Sequence, residues 1–188
     1  DDFNKNIPLS PLAETWECST HPDGQSVIEN TDMTLGYYLN KHPDYLGTHP
    51  LSITDGEAVL PILIKLIDAS SDLSVQVHPD DVMARRKGLP HGKTEMWYVL
   101  DAEPCSYLYA GFREKVTPEE YKQRVADGTI TEVLARHEVH QGDIFYLPAG
   151  RVHAICGGIK LAEVQQSSDV TYRIFDYNRK DKDGNTRT

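Results

Sequence analysis

From residue 61 onward the chain reads as a succession of short β-type runs divided by turn residues, and this texture limits the fold more than any other feature. Residues 61–68 form an apolar run broken by one lysine, residues 73–78 alternate apolar and polar positions, and 94–100 and 106–110 follow closely. After an interruption the pattern resumes at 143–147, 160–166 and 170–175. Short strands in close succession pack as a sandwich or a barrel. The expected fold class is mainly β.

The interruptions are helical. Asp80 and Asp81 can cap a short helix running through Lys87, with Gly88 as its stop. Thr117-Pro118-Glu119-Glu120 is a capping box with proline at the first helical position, which predicts a helix to about Asp127 and a stop at Gly128. A further turn is expected over 131–136, completing a helical insertion at 117–136. Nearer the start, residues 33–42 have helical character that ends at Pro43. The polar tail, 178–188, reads as a linker or frayed end. The 188 residues suffice for one domain with its own core. The expectation is therefore a single β barrel over 1–188, with the insertion and an N-terminal helical segment.

Composition removes several classes of function. No apolar run approaches the roughly 20 residues that a membrane helix needs. The opening residues Asp1 to Lys5 lack the basic-then-apolar pattern of a signal peptide. A formal net charge of −10 argues against a nucleic-acid or anionic-membrane binder. A small anionic substrate stays open, because a few local cations override a distant net charge. The three widely spaced cysteines, Cys18, Cys105 and Cys156, include no Cys-x-x-Cys pair and read as buried free thiols of a cytoplasmic protein. The oligomeric state is open, a homodimer being one option without a residue-level argument.

Gln76 and His78 lie two apart in a strand, so both side chains share one face. Glu95 opens the next β run, and His153 follows a Pro-x-Gly turn. Two imidazoles, a carboxylate and an amide oxygen from separate strands can converge on one divalent ion; zinc suits them, and iron(II), cobalt or manganese could also sit there. A lone strand histidine is ordinarily a hydrogen-bonded core or surface residue. The spacing around His153 changes that reading: Gly142, then Pro148-Ala149-Gly150, then His153 resembles the second signature of the cupin superfamily. The first signature here is Gln-x-His with a long insertion before Glu95. Cys156, three residues past His153, should face away from the metal. His21, His42, His49, His137 and His140 read as ordinary loop or surface residues, with His91 left open by its closeness to Lys93.

Lys65 interrupts an apolar β run, which is costly unless its ammonium finds a partner or water. It is either a snorkelling edge lysine or a cation in the barrel mouth. By alternation Lys93 shares a face with Glu95, Glu163 with Gln165, and Arg173 with Thr171. Lys and Arg groups beside a metal suggest an anionic, oxygen-rich substrate such as a phosphate.

Four segments then carry a more specific resemblance: 73–81, 92–99, 142–153 and 165–173, with 14–17 and 21–24 in support. They resemble type I mannose-6-phosphate isomerases in their short bacterial form. The resemblance implies a zinc cupin that interconverts mannose 6-phosphate and fructose 6-phosphate. It implies one divalent ion per chain on Gln76, His78, Glu95 and His153. It also implies a catalytic arginine at Arg173, an active-site lysine at Lys93 and an acidic residue at Glu163, with Lys65 expected to help hold the phosphate. The family's extreme N-terminal strand and its C-terminal β domain are expected to be missing from this chain. Two alternatives stay open, an iron(II) cupin dioxygenase and a non-catalytic sugar-phosphate-binding cupin.

Overall fold

The computed structural model describes residues 12–54 and 56–187; the opening Asp1 to Lys5 lies outside them. Among the described residues there are ten strands: β1 (Glu14–Glu17), β2 (Ile62–Ala69), β3 (Val75–Val77), β4 (Glu95–Ala102), β5 (Tyr107–Phe112), β6 (Leu134–Glu138), β7 (Ile144–Leu147), β8 (His153–Ile155), β9 (Ile159–Gln166) and β10 (Tyr172–Phe175). They form two five-stranded sheets, ordered β1-β2-β9-β4-β7 and β10-β3-β8-β5-β6. Every named pairing is antiparallel. This is the mainly β, cupin-type arrangement expected, with one refinement: the barrel is two facing sheets, each with its own edges, rather than a closed ladder.

The core lies between the sheets. Ile67, Trp97, Val99, Leu147, Ile159 and Leu161 from the first sheet pack with Leu108 and Ile155 from the second. In β2 the burial alternates strictly, with Leu63, Lys65, Ile67 and Ala69 inward. The continuous apolar run 62–67 therefore supplies both faces of one strand, as happens when neither face is fully wet. A second cluster, Val75, Leu134, Val152 and Ala154, packs with Ile174 and Phe175. Val75 has the opposite parity to Gln76, so this cluster belongs to the outer face of the second sheet.

The helices are α1 (Leu35–Lys41), α2 (Thr48–Ile53), α3 (Asp81–Arg86) and α4 (Pro118–Asp127). Their ends follow local chemistry. Asp80 accepts from the Met83 N–H at 2.7 Å, and Thr117 from the Glu120 N–H at 3.1 Å. Gly128, at φ 72°, ends α4 in the left-handed conformation. The insertion is shorter than expected: after a 3₁₀ turn at Ile130–Val133 the chain enters β6, so 134–136 is strand. Leu134 is buried and pairs with Phe112, a tertiary demand that the local sequence does not announce. The 3₁₀ turn Pro43–Leu46 and α2 were not anticipated either.

Two other expectations need correction. Only Cys156 is buried; the free thiols of Cys18 and Cys105 are exposed, because both sit in connecting segments at positive φ. The tail is not frayed over 178–187. Lys180 and Thr186 form an isolated β-bridge, and Arg179 and Arg187 both reach the buried Asp176 carboxylate.

Candidate active site

The metal-ligand candidates come from three strands, β3, β4 and β8. Gln76 stands directly opposite His153 across β3–β8 and opposite Arg173 across β3–β10. Directly paired residues share a face, so Arg173, Gln76 and His153 form one row. His78 leaves the end of β3, and Glu95 opens β4 on the facing sheet. One donor atom each from His78, Glu95 and His153 lies within 4.8 Å of the others, and all three residues are buried. Glu95 Oε1 is 3.2 Å from His78 Nε2, and Oε2 is 3.5 Å from His153 Nε2. Gln76 Nε2 is 3.5 Å from the same His153 nitrogen. The two ends of an amide are assigned from their neighbours, and a half-turn presents the Gln76 oxygen instead.

Each histidine is oriented from behind. His78 Nδ1 is 2.8 Å from the Val170 carbonyl and His153 Nδ1 is 2.8 Å from the Arg151 carbonyl. A carbonyl there calls for a proton on Nδ1, which leaves a lone pair on each Nε2 facing Glu95, the arrangement that metal-ligating histidines use. Burial, the first cause, drives the His153 pKa down to about 4, so this imidazole is neutral near pH 7. Burial alone would raise the Glu95 pKa, but His78, Lys93 and His153 around it hold it well below the usual range. Neither Glu95 oxygen accepts a well-aligned hydrogen bond, although the residue is 1% exposed. A buried carboxylate facing two imidazole lone pairs is a poor structural device and a good divalent-ion site.

Lys93 is buried, with Nζ 2.9 Å from Glu95 Oε1 and 3.5 Å from His78 Nε2. The loop that carries it is held from three sides. Gly92 N–H donates to Asp81 Oδ1 at 2.8 Å, Lys93 N–H to the Pro79 carbonyl at 2.9 Å, and Thr94 N–H to Gln166 Oε1 at 2.9 Å. Gly92 is obligatory, since a Cβ there would lie 2.6 Å from the Asp80 carbonyl carbon. His91 stays outside the buried His/Glu cluster.

One row deeper, Lys65, Glu163 and Trp97 stand side by side across β2, β9 and β4. Trp97 Nε1 donates to Glu163 Oε2 at 2.8 Å, and the same indole packs edge-on against the His153 ring at 5.3 Å between centroids. Glu163 is buried; desolvation, reinforced by the Glu95 charge, pushes its pKa up to about 7. The Lys65 ammonium does not reach the metal-ligand candidates by any ion pair among the described residues. It lies 3.5 Å from Glu14 Oε1 and 4.9 Å from the Trp16 ring centroid. Lys65 thus faces inward and finds its partner at the β1 edge. Sequence reasoning missed Trp97 as a tie between Glu163 and His153, and only its inward parity with Glu95 could have signalled it.

Two facing antiparallel sheets with a buried His/Glu/His cluster at one end define a cupin-type protein with a candidate metal centre. The family model for the phosphomannose isomerase type I catalytic domain matches residues 1–127. The chain is 41% identical over 192 residues to the probable mannose-6-phosphate isomerase GmuF of Bacillus subtilis (strain 168), a match covering 100% of this chain and 59% of that protein. The crystal structure of a Bacillus subtilis mannose 6-phosphate isomerase superposes with a TM-score of 0.85 at 33% identity, over 99% of this chain and 58% of that one. A mannose 6-phosphate isomerase bound with zinc and yttrium shares the fold at a TM-score of 0.62 and 18% identity, over 87% of this chain and 62% of that one. The chain belongs to the type I phosphomannose isomerase family. It spans less than two thirds of the length of these relatives.

Proposed function

We propose that this chain carries the catalytic site of a metal-dependent aldose–ketose isomerase that interconverts mannose 6-phosphate and fructose 6-phosphate. The observation that carries the reading is the buried Glu95 carboxylate, facing two histidine Nε2 atoms whose other nitrogens are anchored to backbone carbonyls. His78, Glu95, His153 and, through its amide oxygen, Gln76 would hold one zinc ion, and these nitrogen and oxygen donors fit that metal. When bound, the ion supplies a fixed positive charge for substrate oxygens.

The remaining steps belong to the chain. Isomerisation moves a proton from C2 to C1 through a cis-enediolate, so negative charge develops on the C1 and C2 oxygens. Lys93 stabilises that charge as a buried ammonium that needs no reorganisation. Arg173, in the Gln76 row, is the second cation. Glu163 is the base: a carboxyl with a pKa near 7 both accepts and returns a proton at neutral pH. Trp97 aims it. Lys65 is the phosphate group's cation, in competition with Glu14. The inward ammonium groups favour this reading over oxygen chemistry at a two-His-one-carboxylate centre.

Residues 1–188 are read as one catalytic unit of the protein. A cytoplasmic setting fits the free cysteines among the described residues, none of whose helices is long and apolar enough to cross a membrane. The test is an isomerase assay with mannose 6-phosphate, following fructose 6-phosphate, before and after chelation. Turnover that disappears with chelator and returns with zinc supports the reading. A metal-loaded protein without turnover, as this chain and as a longer one, removes it.

A further inference from the structure

Gln165 is a polar side chain that the isomerase reading leaves without a task. It is 1% exposed and sits directly opposite Glu95 across β9–β4 and opposite Leu63 across β9–β2. Its Cβ therefore shares the inward face with Glu95, one row above Glu163 and Trp97. Its amide has a fixed orientation: Nε2 donates to the Gln166 carbonyl at 2.8 Å and to the Ser168 carbonyl at 2.5 Å. Both amide hydrogens are thereby used, and a flipped amide would oppose oxygen to oxygen. What remains is Oε1, buried and accepting no hydrogen bond from the protein. Its cross-strand partner Glu95 differs in this respect, since the Lys93 ammonium lies 2.9 Å from Glu95 Oε1.

A buried acceptor without a donor costs the full desolvation of that group; the two backbone carbonyls account for the Gln165 amide nitrogen and leave Oε1 unaccounted for. Its neighbour Leu63 shows that the row accepts an apolar side chain. The chemistry of Oε1 narrows its partner. It is neutral and acceptor-only, so it has no attraction for a phosphate and would oppose negative charge growing on the reacting C1 and C2 oxygens. It suits a neutral O–H donor. We propose that Gln165 recognises the substrate by accepting a hydrogen bond at Oε1 from a non-reacting sugar hydroxyl, on C3 or C4. It is a specificity-determining residue beside the metal centre rather than a metal ligand. This inference rests on the isomerase reading and adds to it a reason for choosing a polyol.

The experiment compares wild type with Gln165→Met, which keeps the volume and removes the Oε1 acceptor together with the two Nε2 donations, and with Gln165→Glu, which keeps an acceptor at that place. The substrates are mannose 6-phosphate and its 3-deoxy and 4-deoxy analogues, and metal content is measured on each protein. Wild-type turnover of mannose 6-phosphate is established first; an inactive wild type takes the isomerase reading and this inference together. With active wild type, Gln165→Met is expected to lose about 10- to 100-fold in kcat/KM on mannose 6-phosphate. On the one deoxy analogue that lacks the recognised hydroxyl, variant and wild type should be equal, with metal content unchanged throughout. An equal loss on all three substrates, or loss of the metal, overturns the proposal and leaves the isomerase reading intact. If the variant does not fold, a structure of the wild type with mannose 6-phosphate decides. A C3 or C4 hydroxyl within hydrogen-bond distance of Oε1 supports the inference, and a water held there by the protein alone overturns it.

Discussion

The two ends of the space between the sheets are built from the same strands and have opposite chemistry. At the closed end, Ile67, Leu161 and Val99 stand side by side across β2, β9 and β4, with Leu108 and Ile155 paired on the facing sheet. At the other end the same three strands present Lys65, Glu163 and Trp97, then Leu63, Gln165 and Glu95, against Arg173, Gln76 and His153. Along β9 the change falls between Leu161 and Glu163, two residues on one face. Because each row is a set of cross-strand partners, the apolar rows fix the register, and the register delivers the polar rows. Stability and chemistry are thus separable along a single strand.

The comparison breaks most completely at Glu95. Glu95→Ala should lower bound metal, measured by elemental analysis, toward zero and reduce turnover to background, while the far-UV spectrum keeps its β character. Bound metal near one ion per chain in that variant would show that the cluster is not the metal site. Glu163→Gln should cost about 10²–10⁴-fold in kcat with metal retained. Its pH dependence adds a signed check. As a base Glu163 must be ionised, so wild-type kcat/KM should fall on the acid side, where burial keeps this carboxyl protonated, and the limb should vanish in the variant. In the metal-free protein the raised pKa means a stability contribution present below the usual carboxylate range and lost as pH rises through about 7. Glu163→Gln should flatten that slope.

Two residues away, Leu161→Ala should do the reverse. A fully buried leucine replaced by alanine costs about 2–5 kcal/mol, measured by urea unfolding, yet turnover per folded molecule should stay within a few-fold. A large loss of kcat in a folded Leu161→Ala protein would mean that the two ends are coupled. Trp97→Phe sharpens the boundary, since it keeps a ring against His153 and removes only the donor to Glu163. A hydrogen bond to a charged group is worth about 1.5–3 kcal/mol, so kcat should fall about 10-fold or more with KM held. Thr117→Ala, far from both ends, should cost about 1 kcal/mol of stability through the lost α4 cap and leave kinetics unchanged.

Much of this organisation is legible in the chain itself, wherever the cause is local. Short β-type runs mark β2, β4 and β9, and the alternation over 73–78 marks β3, because a strand's faces alternate whatever it pairs with. Asp80, Thr117 and Gly128 place helix ends because capping involves residues only a few positions apart. The turn at Pro148 to Gly150 before His153, and Glu95 after Lys93, name most of the site for the same reason. Other features answer to pairings across long separations, which local pattern does not encode. Lys65 meets Glu14 only once β1 has paired with β2, and Trp97 meets Glu163 and Gln165 stands beside Glu95 only once β9 has inserted between β2 and β4. The β6 strand replaces an expected helical turn because Leu134 is wanted across from Phe112, and the polar tail folds because Asp176 is buried where Arg179 and Arg187 can reach it. Residue type and spacing by themselves marked which groups are candidates for a metal and for an anionic substrate. Only the tertiary structure decided which of them touch, because a cross-strand neighbour is chosen by register and not by distance along the chain.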